Sequence, residues 1–389
     1  MLFRLLFAVM PCVVWAVAWF TLVRPMRLGR GKSAALGALL MVCLAKFAVF
    51  GTLGGELFNP RLQAVVIYAF GAAYGFAEIW AGLAFAVWLA GLPRRVVRRV
   101  GPSPRAARVS AALCAALSLA AVAEGLWQTL RIPPVREIDL PYEGLPPDLD
   151  GYRIVHMSDL HASVATFRAR FERIVERVNA LDADLIAITG DFADGYPDEM
   201  APLLEPLSGL KARDGVYGCT GNHEFYWDWP GTWRMLHGYG LRFPDAAAVA
   251  IRRGSAVIRV GAMDDEAAAR FDETYFPSPF RHFAPESAEG EFRIMLCHRP
   301  TRSCELAAWA KVDLQLSGHT HAGMALPLRP IVALFNEGRV RGTYGTGRGW
   351  LHVSPGTGQW AGFPLRILNP AEITVIRLSS RPKTKLSKK

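Results

Sequence analysis

Five short polar clusters in the second half of the chain carry residue types that bind and activate: Asp159/His161, Asp191/Asp194, Asn222/His223, His298 and His319/His321. Of the nine histidines, five fall in these clusters, a concentration that packing alone would not produce. Carboxylates, one amide oxygen and several imidazoles, with no well-placed thiolate, form a mixed N/O set. Such a set suits Mn, Fe, Zn or Co better than a soft Cu(I) site. So many imidazoles argue against a site for Mg or Ca alone. There are too many ligands for one ion. Two cations about 3.5–4 Å apart would clamp a phosphoryl group for in-line displacement, and a carboxylate shared between them would hold that spacing. Singly, the clusters say little, since an Asp-x-His or a Gly-Asp after a strand is commonly structural. Gly318-His319-Thr320-His321 says more, because alternate residues of a strand-end loop bring both imidazoles near one point. The weight lies in all five clusters, each following an apolar strand.

The elements that must position them are legible from Tyr152 onward. Short apolar runs predict strands at Arg153–Met157, Leu185–Thr189, Gly215–Cys219, Arg293–Cys297 and Leu314–Leu316, and each ends at one of the clusters. Further strands are expected at Val249–Arg252 and Ala256–Gly261, a hairpin around Gly254, and at Trp350–Ser354 and Ile373–Leu378. Between them, helices are expected at Phe167–Leu181, Met200–Leu210 and Ser303–Lys311, with another beginning at Gly231–Gly238. Strands alternating with helices mean an α/β domain. Continuous apolar strands mean a sheet covered on both faces. Loops at the carboxyl ends of such strands converge, so the clusters should meet at one sheet edge.

The motifs Asp159-Leu160-His161, Gly190-Asp191-Phe192-Ala193-Asp194, Gly221-Asn222-His223-Glu224, His298 and Gly318-His319-Thr320-His321 resemble the calcineurin-like metallophosphoesterase superfamily. The resemblance covers about Tyr152 to Leu378. Ser354-Pro-Gly-Thr-Gly, Pro364-Leu-Arg and Pro370-Ala-Glu-Ile are similar to its bacterial membrane-linked subgroup. Ala322-Gly323-Met324 departs from that subgroup's usual Gly-Gly-Gln. The resemblance implies a four-layer α/β/β/α sandwich. It implies a first divalent ion on Asp159, His161, Asp191 and His321, and a second on Asp191, Asn222, His298 and His319. Mn, Fe or Zn are the expected metals. Asp191 would bridge them, and His223 would contact the phosphate and protonate the leaving group, making these two the catalytic residues. Glu224 and Asp194 would support the ligands from behind.

The N-terminal third reads differently. A helix needs about 20 apolar residues to cross an acyl core, and Leu5–Val23, Ala34–Phe50, Ala64–Leu92 and Val109–Leu126 qualify. A cleaved leader at the first stretch would need small residues after Phe20, where the chain reads Thr21-Leu-Val-Arg-Pro. Residues 1–131 carry a net charge of +11, residues 132–380 carry −6 and the last nine +5, so the excess is not on a folded face and nucleic acid is not an expected partner. Arg24, Arg27, Arg30 and Lys32 occupy the first loop, and Arg94, Arg95, Arg98, Arg99, Arg105 and Arg108 the third. Positive loops stay cytoplasmic. Four spans then put everything after Leu130 outside, in a multi-pass protein of a bacterial inner membrane. The parity depends on Ala64–Leu92 being one span, and Glu78 lies near its middle. Lys46 and Glu124 are expected to snorkel from span ends, Glu78 to face a partner helix or a headgroup, and the third loop to touch anionic lipid.

The chain thus divides into a transmembrane region (1–131), a proline-stiffened linker (132–150), a metallophosphoesterase domain (151–379) and a basic tail (380–389). His156, Cys219 and Cys297 are expected to pack within strands, and Trp227 and Trp229 to pack after Glu224. His237, His282 and His352 are expected at the surface or in loops. The leading functional expectation is a membrane-anchored phosphoesterase acting on lipid-linked phosphodiesters or pyrophosphates, with membrane lipid and the phosphoester as its partners. The alternatives are an anchored phosphodiesterase of soluble nucleotides, a non-catalytic metal-binding interaction module, and, more weakly, a transporter with an accessory soluble domain. Oligomeric state is open at this level.

Overall fold

A computed structural model of the chain describes residues 2–245, 247–270, 283, 290–325 and 328–380. His282 and residues 381–389 of the basic tail lie outside the described residues. The chain separates into two compact units, Met1–Leu130 with Ala361–Leu368, and Arg131–Trp360 with Asn369–Lys389.

The first unit is helical: α1 (Leu2–Ala18), α2 (Arg30–Leu44), α3 (Lys46–Leu53), α4 (Ala64–Ala90), α5 (Leu92–Arg98) and α6 (Pro104–Leu130). Helix α1 runs on through a π-turn and a 3₁₀ turn to Met26. Three segments are long and apolar enough to cross a membrane: Val9–Met26, Ala64–Ala90 and Pro104–Leu130. The α2–α3 pair, bent by 52° at Ala45, would make a fourth if it is one broken span. Helix α4 is unbroken despite its glycines. Those glycines serve packing. A Cβ on Gly71 would lie 2.4 Å from Pro364, and one on Gly75 2.4 Å from Leu365. Gly71 and Gly75 therefore form a small-residue groove, of the kind that lets segments approach closely in membranes, and it is filled by the returning Ala361–Leu368 segment.

Lys46 does not snorkel. It is buried at the α2–α3 break, and its ammonium donates to the Gly362 carbonyl among the rings of Phe47, Phe363 and Tyr74, at 4.2, 4.3 and 5.1 Å. A carbonyl and aromatic faces supply inside the unit what an ammonium otherwise seeks in water. Glu78, one turn beyond Tyr74, accepts a hydrogen bond from its hydroxyl. Glu124 accepts from Gln128 and from the backbone of Leu368, each at 2.8 Å.

The second unit contains β1 (Val135–Pro141), β2 (Arg153–Met157), α7 (Arg168–Asn179), β3 (Leu185–Thr189), α8 (Pro197–Leu204), β4 (Val216–Cys219) and α9 (Trp229–Gly238). It continues with β5 (Val249–Arg253), β6 (Ala256–Met263), β7 (Glu291–Cys297), α10 (Ser303–Trp309), β8 (Leu314–Ser317), α11 (Arg329–Phe335), β9 (Gly342–Gly345), β10 (Trp350–Val353) and β11 (Ile373–Ser379). One sheet has the order β1-β11-β2-β3-β4, the other β5-β6-β7-β8-β10-β9. β2, β3 and β4 are mutually parallel, as are β6, β7, β8 and β10.

The sheets pack face to face through Ile154, Leu185 and Tyr217 on one side and Ile258, Ile294 and Leu316 on the other. The outer face of the first sheet is covered by α7, through Phe171, Ile174 and Val178, and by α8 and α9. Leu306 of α10 packs with Met295 on the outer face of the second. This is the α/β/β/α order. The approach segment is not structureless: β1 lies parallel to β11 in the register Val135↔Ile373. Arg136, Glu137 and Asp139 hide it from an apolar-run reading, yet charge suits an edge strand.

Candidate metal centre

All five clusters lie just past strand ends, Asp159 and His161 after β2, Asp191 and Asp194 after β3, Asn222 and His223 after β4, His298 after β7, His319 and His321 after β8. The backbone is bent hard there. Asp159, His161, Asp191, His319 and His321 all have φ between 45° and 68°. Left-handed backbone at non-glycine residues costs on the order of 1–3 kcal/mol each and persists where surroundings over-determine it. The motif glycines allow the crowding. A Cβ on Gly318 would sit 1.8 Å from Ser158 Oγ, and one on Gly221 2.2 Å from Asp191 Oδ1.

The side chains converge as two adjacent groups. His321 Nε2 lies 3.0 Å from His161 Nε2 and 3.3 Å from Asp159 Oδ1. His298 Nε2 lies 3.2 Å from His319 Nδ1 and 3.3 Å from Asp191 Oδ2. That same Asp191 oxygen is 3.6 Å from His161 Nε2, so one carboxylate oxygen faces both groups. Asp159, His161 and His321 place one ligand atom each within 4.8 Å of one another, and so do Asp159, Asp191 and His298. Asn222 Oδ1 is buried without a hydrogen-bond partner among the described residues. An orphaned buried acceptor is costly, and a cation is the partner this donor set fits.

A second tier holds the rings. Asp194 accepts from His161 Nδ1 at 3.0 Å and from His223 Nδ1 at 2.6 Å, leaving both Nε2 atoms turned to the centre. Burial opposes its charge, but His161 and His223 outweigh burial and hold the Asp194 carboxyl down to about 2. His223 is likewise opposed by burial, and Asp191 and Asp194 push it up to about 9. His319 is pushed well down by burial and then by His298 and Arg299, which favours the neutral imidazole that metals bind. Glu224 acts on the backbone rather than on a ring. Its carboxylate accepts the backbone N–H groups of Asp191, Phe192 and Gly221 at 2.9, 2.7 and 2.7 Å, tying two ligand loops together. Burial pushes its carboxyl up to about 7.

Three residues near the centre carry no sequence signal of their own. Arg299, held by Asp265 at 2.8 and 3.1 Å, brings a guanidinium nitrogen 3.2 Å from His319 Nε2. Trp360 stands edge-on to His223 with ring centroids 5.6 Å apart. The Tyr226 hydroxyl accepts from Asn222 Nδ2 at 3.2 Å. His352 is neither surface nor loop: it is buried in β10, 2.8 Å from His156 Nδ1. His156 also meets Thr189 at 2.9 Å. His237 is half-buried on α9 against Trp233. Trp229 packs on Phe225 and Phe243, and Trp227 on Tyr196.

The calcineurin-like phosphoesterase family model matches residues 152–323, which include every cluster above. The chain is 34% identical over 268 residues to a zebrafish (Danio rerio) transmembrane protein with metallophosphoesterase domain, covering 65% of this chain and 59% of that one. It is 30% identical over 269 residues to the Bos taurus protein of the same description, covering 66% and 60%. It is 31% identical over 264 residues to an uncharacterized metallophosphoesterase of Helicobacter pylori, covering 65% and 66%. The chain thus spans about three fifths of the length of the first two relatives. With two packed sheets and all five motifs at strand ends, residues 152–323 of this chain form a calcineurin-like phosphoesterase domain.

Proposed function

We propose that the chain is a membrane-anchored phosphoesterase that hydrolyses phosphodiester or pyrophosphate bonds, lipid-linked ones foremost, at a two-cation centre. The observation that carries this is the facing of both ligand groups by the single oxygen Asp191 Oδ2, beside the orphaned Asn222 Oδ1. Asp159, His161, Asp191 and His321 would hold one ion, and Asp191, Asn222, His298 and His319 the other. When bound, such cations neutralise phosphate oxygens and bring the pKa of a site water toward neutrality. The chain's own residues do the rest. Asp194 fixes the His223 ring so that Nε2 faces the centre, where its proton can go to the leaving oxygen. Arg299 is placed to pair with a non-bridging oxygen.

Anchoring is supported by the apolar helices and by relatives described as transmembrane proteins. With four spans, and with the Arg-rich loops cytoplasmic, the metal centre belongs outside a bacterial inner membrane. Arg108 Nε donates to the Met26 carbonyl at 3.2 Å, so the first and third loops share one end of the helical unit. The lipid-linked reading is favoured by tethering, since a hydrolase anchored by apolar helices meets amphiphilic phosphoesters at high local concentration.

The test is hydrolysis by the full chain in detergent, stripped with chelator and reloaded with Mn, Zn or Mg. A chromogenic bis-ester should be cleaved faster than the monoester, with Mn or Zn restoring more activity than Mg. A lipid pyrophosphate should be preferred over a nucleotide diester. No metal-dependent turnover on any of these would sink the enzyme reading. Preference for the nucleotide would sink only the lipid-linked part.

A further inference from the structure

The helical unit contains a cavity of about 250 Å³ that the phosphoesterase reading does not use. Its apolar wall includes Leu22 after α1 and Ala84 and Val87 of α4, and at its end stand Trp88, Arg94 and Arg95. The Arg95 guanidinium lies over the Trp88 ring, 4.8 Å from its centroid. Its Nε and Nη2 atoms are buried without a hydrogen-bond partner among the described residues. These two atoms form one edge of the guanidinium, the edge that grips an oxyanion with two parallel N–H bonds. A buried donor on a charged group is expensive to leave unsatisfied, so this edge points to an anionic ligand.

The surroundings say which anion. Arg95 lies in α5, directly after α4 ends at Ala90, at the depth where a spanning helix leaves the acyl core. Helix α5 exposes Val96 and Val97 between Arg95 and Arg98, as a segment lying along a membrane surface does. A phosphate matches the guanidinium edge, and the apolar wall below it matches an acyl chain. We propose that this cavity binds an anionic phospholipid, its phosphate on Arg95 with support from Arg94, and one chain along Leu22, Ala84 and Val87. The site is distinct from the metal centre and is independent of the proposed activity.

Native mass spectrometry of the full chain released from mild detergent tests it, with phosphatidylglycerol, phosphatidylcholine or inorganic phosphate added. Phosphatidylglycerol adducts should dominate, and Arg95→Gln should lower them about tenfold, the loss of one charge-assisted pair. Arg98→Gln, which removes an equal charge from the same helix but does not line the cavity, should leave them unchanged. A second readout needs no variant. Cys114 is a buried free cysteine of the cavity wall, and phosphatidylglycerol should slow its alkylation, mapped by peptide mass. Equal loss in Arg95→Gln and Arg98→Gln, equal retention of phosphatidylcholine, equal protection of Cys114 by inorganic phosphate, or no protection by phosphatidylglycerol would each overturn the proposal.

Discussion

His223 differs from the other imidazoles of the centre in one respect. Its Nδ1 is tied to Asp194 at 2.6 Å, while its Nε2 stands 3.9 Å from Asp191 Oδ2 and is not paired with another ring nitrogen. That geometry fits a proton donor better than a ligand. His223→Ala should keep its metal, as read by elemental analysis, and lose about 10²–10⁴-fold in turnover of an alkyl phosphodiester. An ester with a good leaving group should suffer less, since it needs no proton. Wild-type turnover of the alkyl diester by this variant would remove His223 from the acid role. The clusters that converge here were marked in the sequence because each follows an apolar strand and together they hold five of the nine histidines. What could not be read was Arg299 or Trp360. An arginine after His298 and a tryptophan after Gln359 have no spacing that marks them, and only folding brings them to His319 and His223.

Among the elements, the β2–β10 histidine pair makes stability depend on pH. Burial pushes His352 down to about 4, and burial followed by His352 pushes His156 well down. In the unfolded chain both titrate near 6.5. Above pH 6.5 both states hold them neutral and the full stability is present. As pH falls below 6.5 the unfolded chain takes up protons that the folded one refuses, so stability drops, by roughly 1.4 kcal/mol per pH unit for each histidine. For His352 the loss ends near pH 4. Urea midpoints of the full chain, followed by tryptophan fluorescence at pH 7 and 5.5, should show the fall, and His352→Gln should flatten it. An unchanged slope in that variant would count against the pair.

Helix α4 offers a second check at the same scale. Gly75→Leu should push Leu365 out of its groove at about 1–3 kcal/mol. Arg366, now only 1% exposed, should then become cleavable by trypsin about tenfold faster or more. Gly82→Leu, on the same helix but with open space around its Cβ, should not change the rate. Strands β2, β3, β4, β7 and β8 were legible from their apolar runs. Strand β1 was not, because edge strands need not be apolar. The groove was not legible either, because glycine in a helix signals small size without saying what fills the space.

At the scale of the whole molecule, the proposed anchoring assigns the phosphoesterase domain to one side of a membrane. Helix α4 is one element, and with the α2–α3 pair counted as one broken span the candidate spans number four, so the proposed topology, with the Arg-rich loops cytoplasmic, puts the phosphoesterase domain outside. Added protease should therefore digest the metallophosphoesterase domain in intact spheroplasts, without lysis. Protection until lysis would mean that the bent pair α2–α3 re-enters rather than crosses.

Sequence by itself pointed to the class of chemistry, to the candidate residues for it and to an apolar helical part followed by an α/β part. Those follow from residue type and from period along the chain, which are local properties. Tertiary structure alone decided that Lys46 turns inward to Gly362, that His352 joins His156, that Ala361–Leu368 packs with helices more than 200 residues earlier, and that Arg95 keeps a bare edge toward a cavity. Each of these depends on contacts between residues far apart in the chain, and no local pattern encodes which distant partner will satisfy a buried charge.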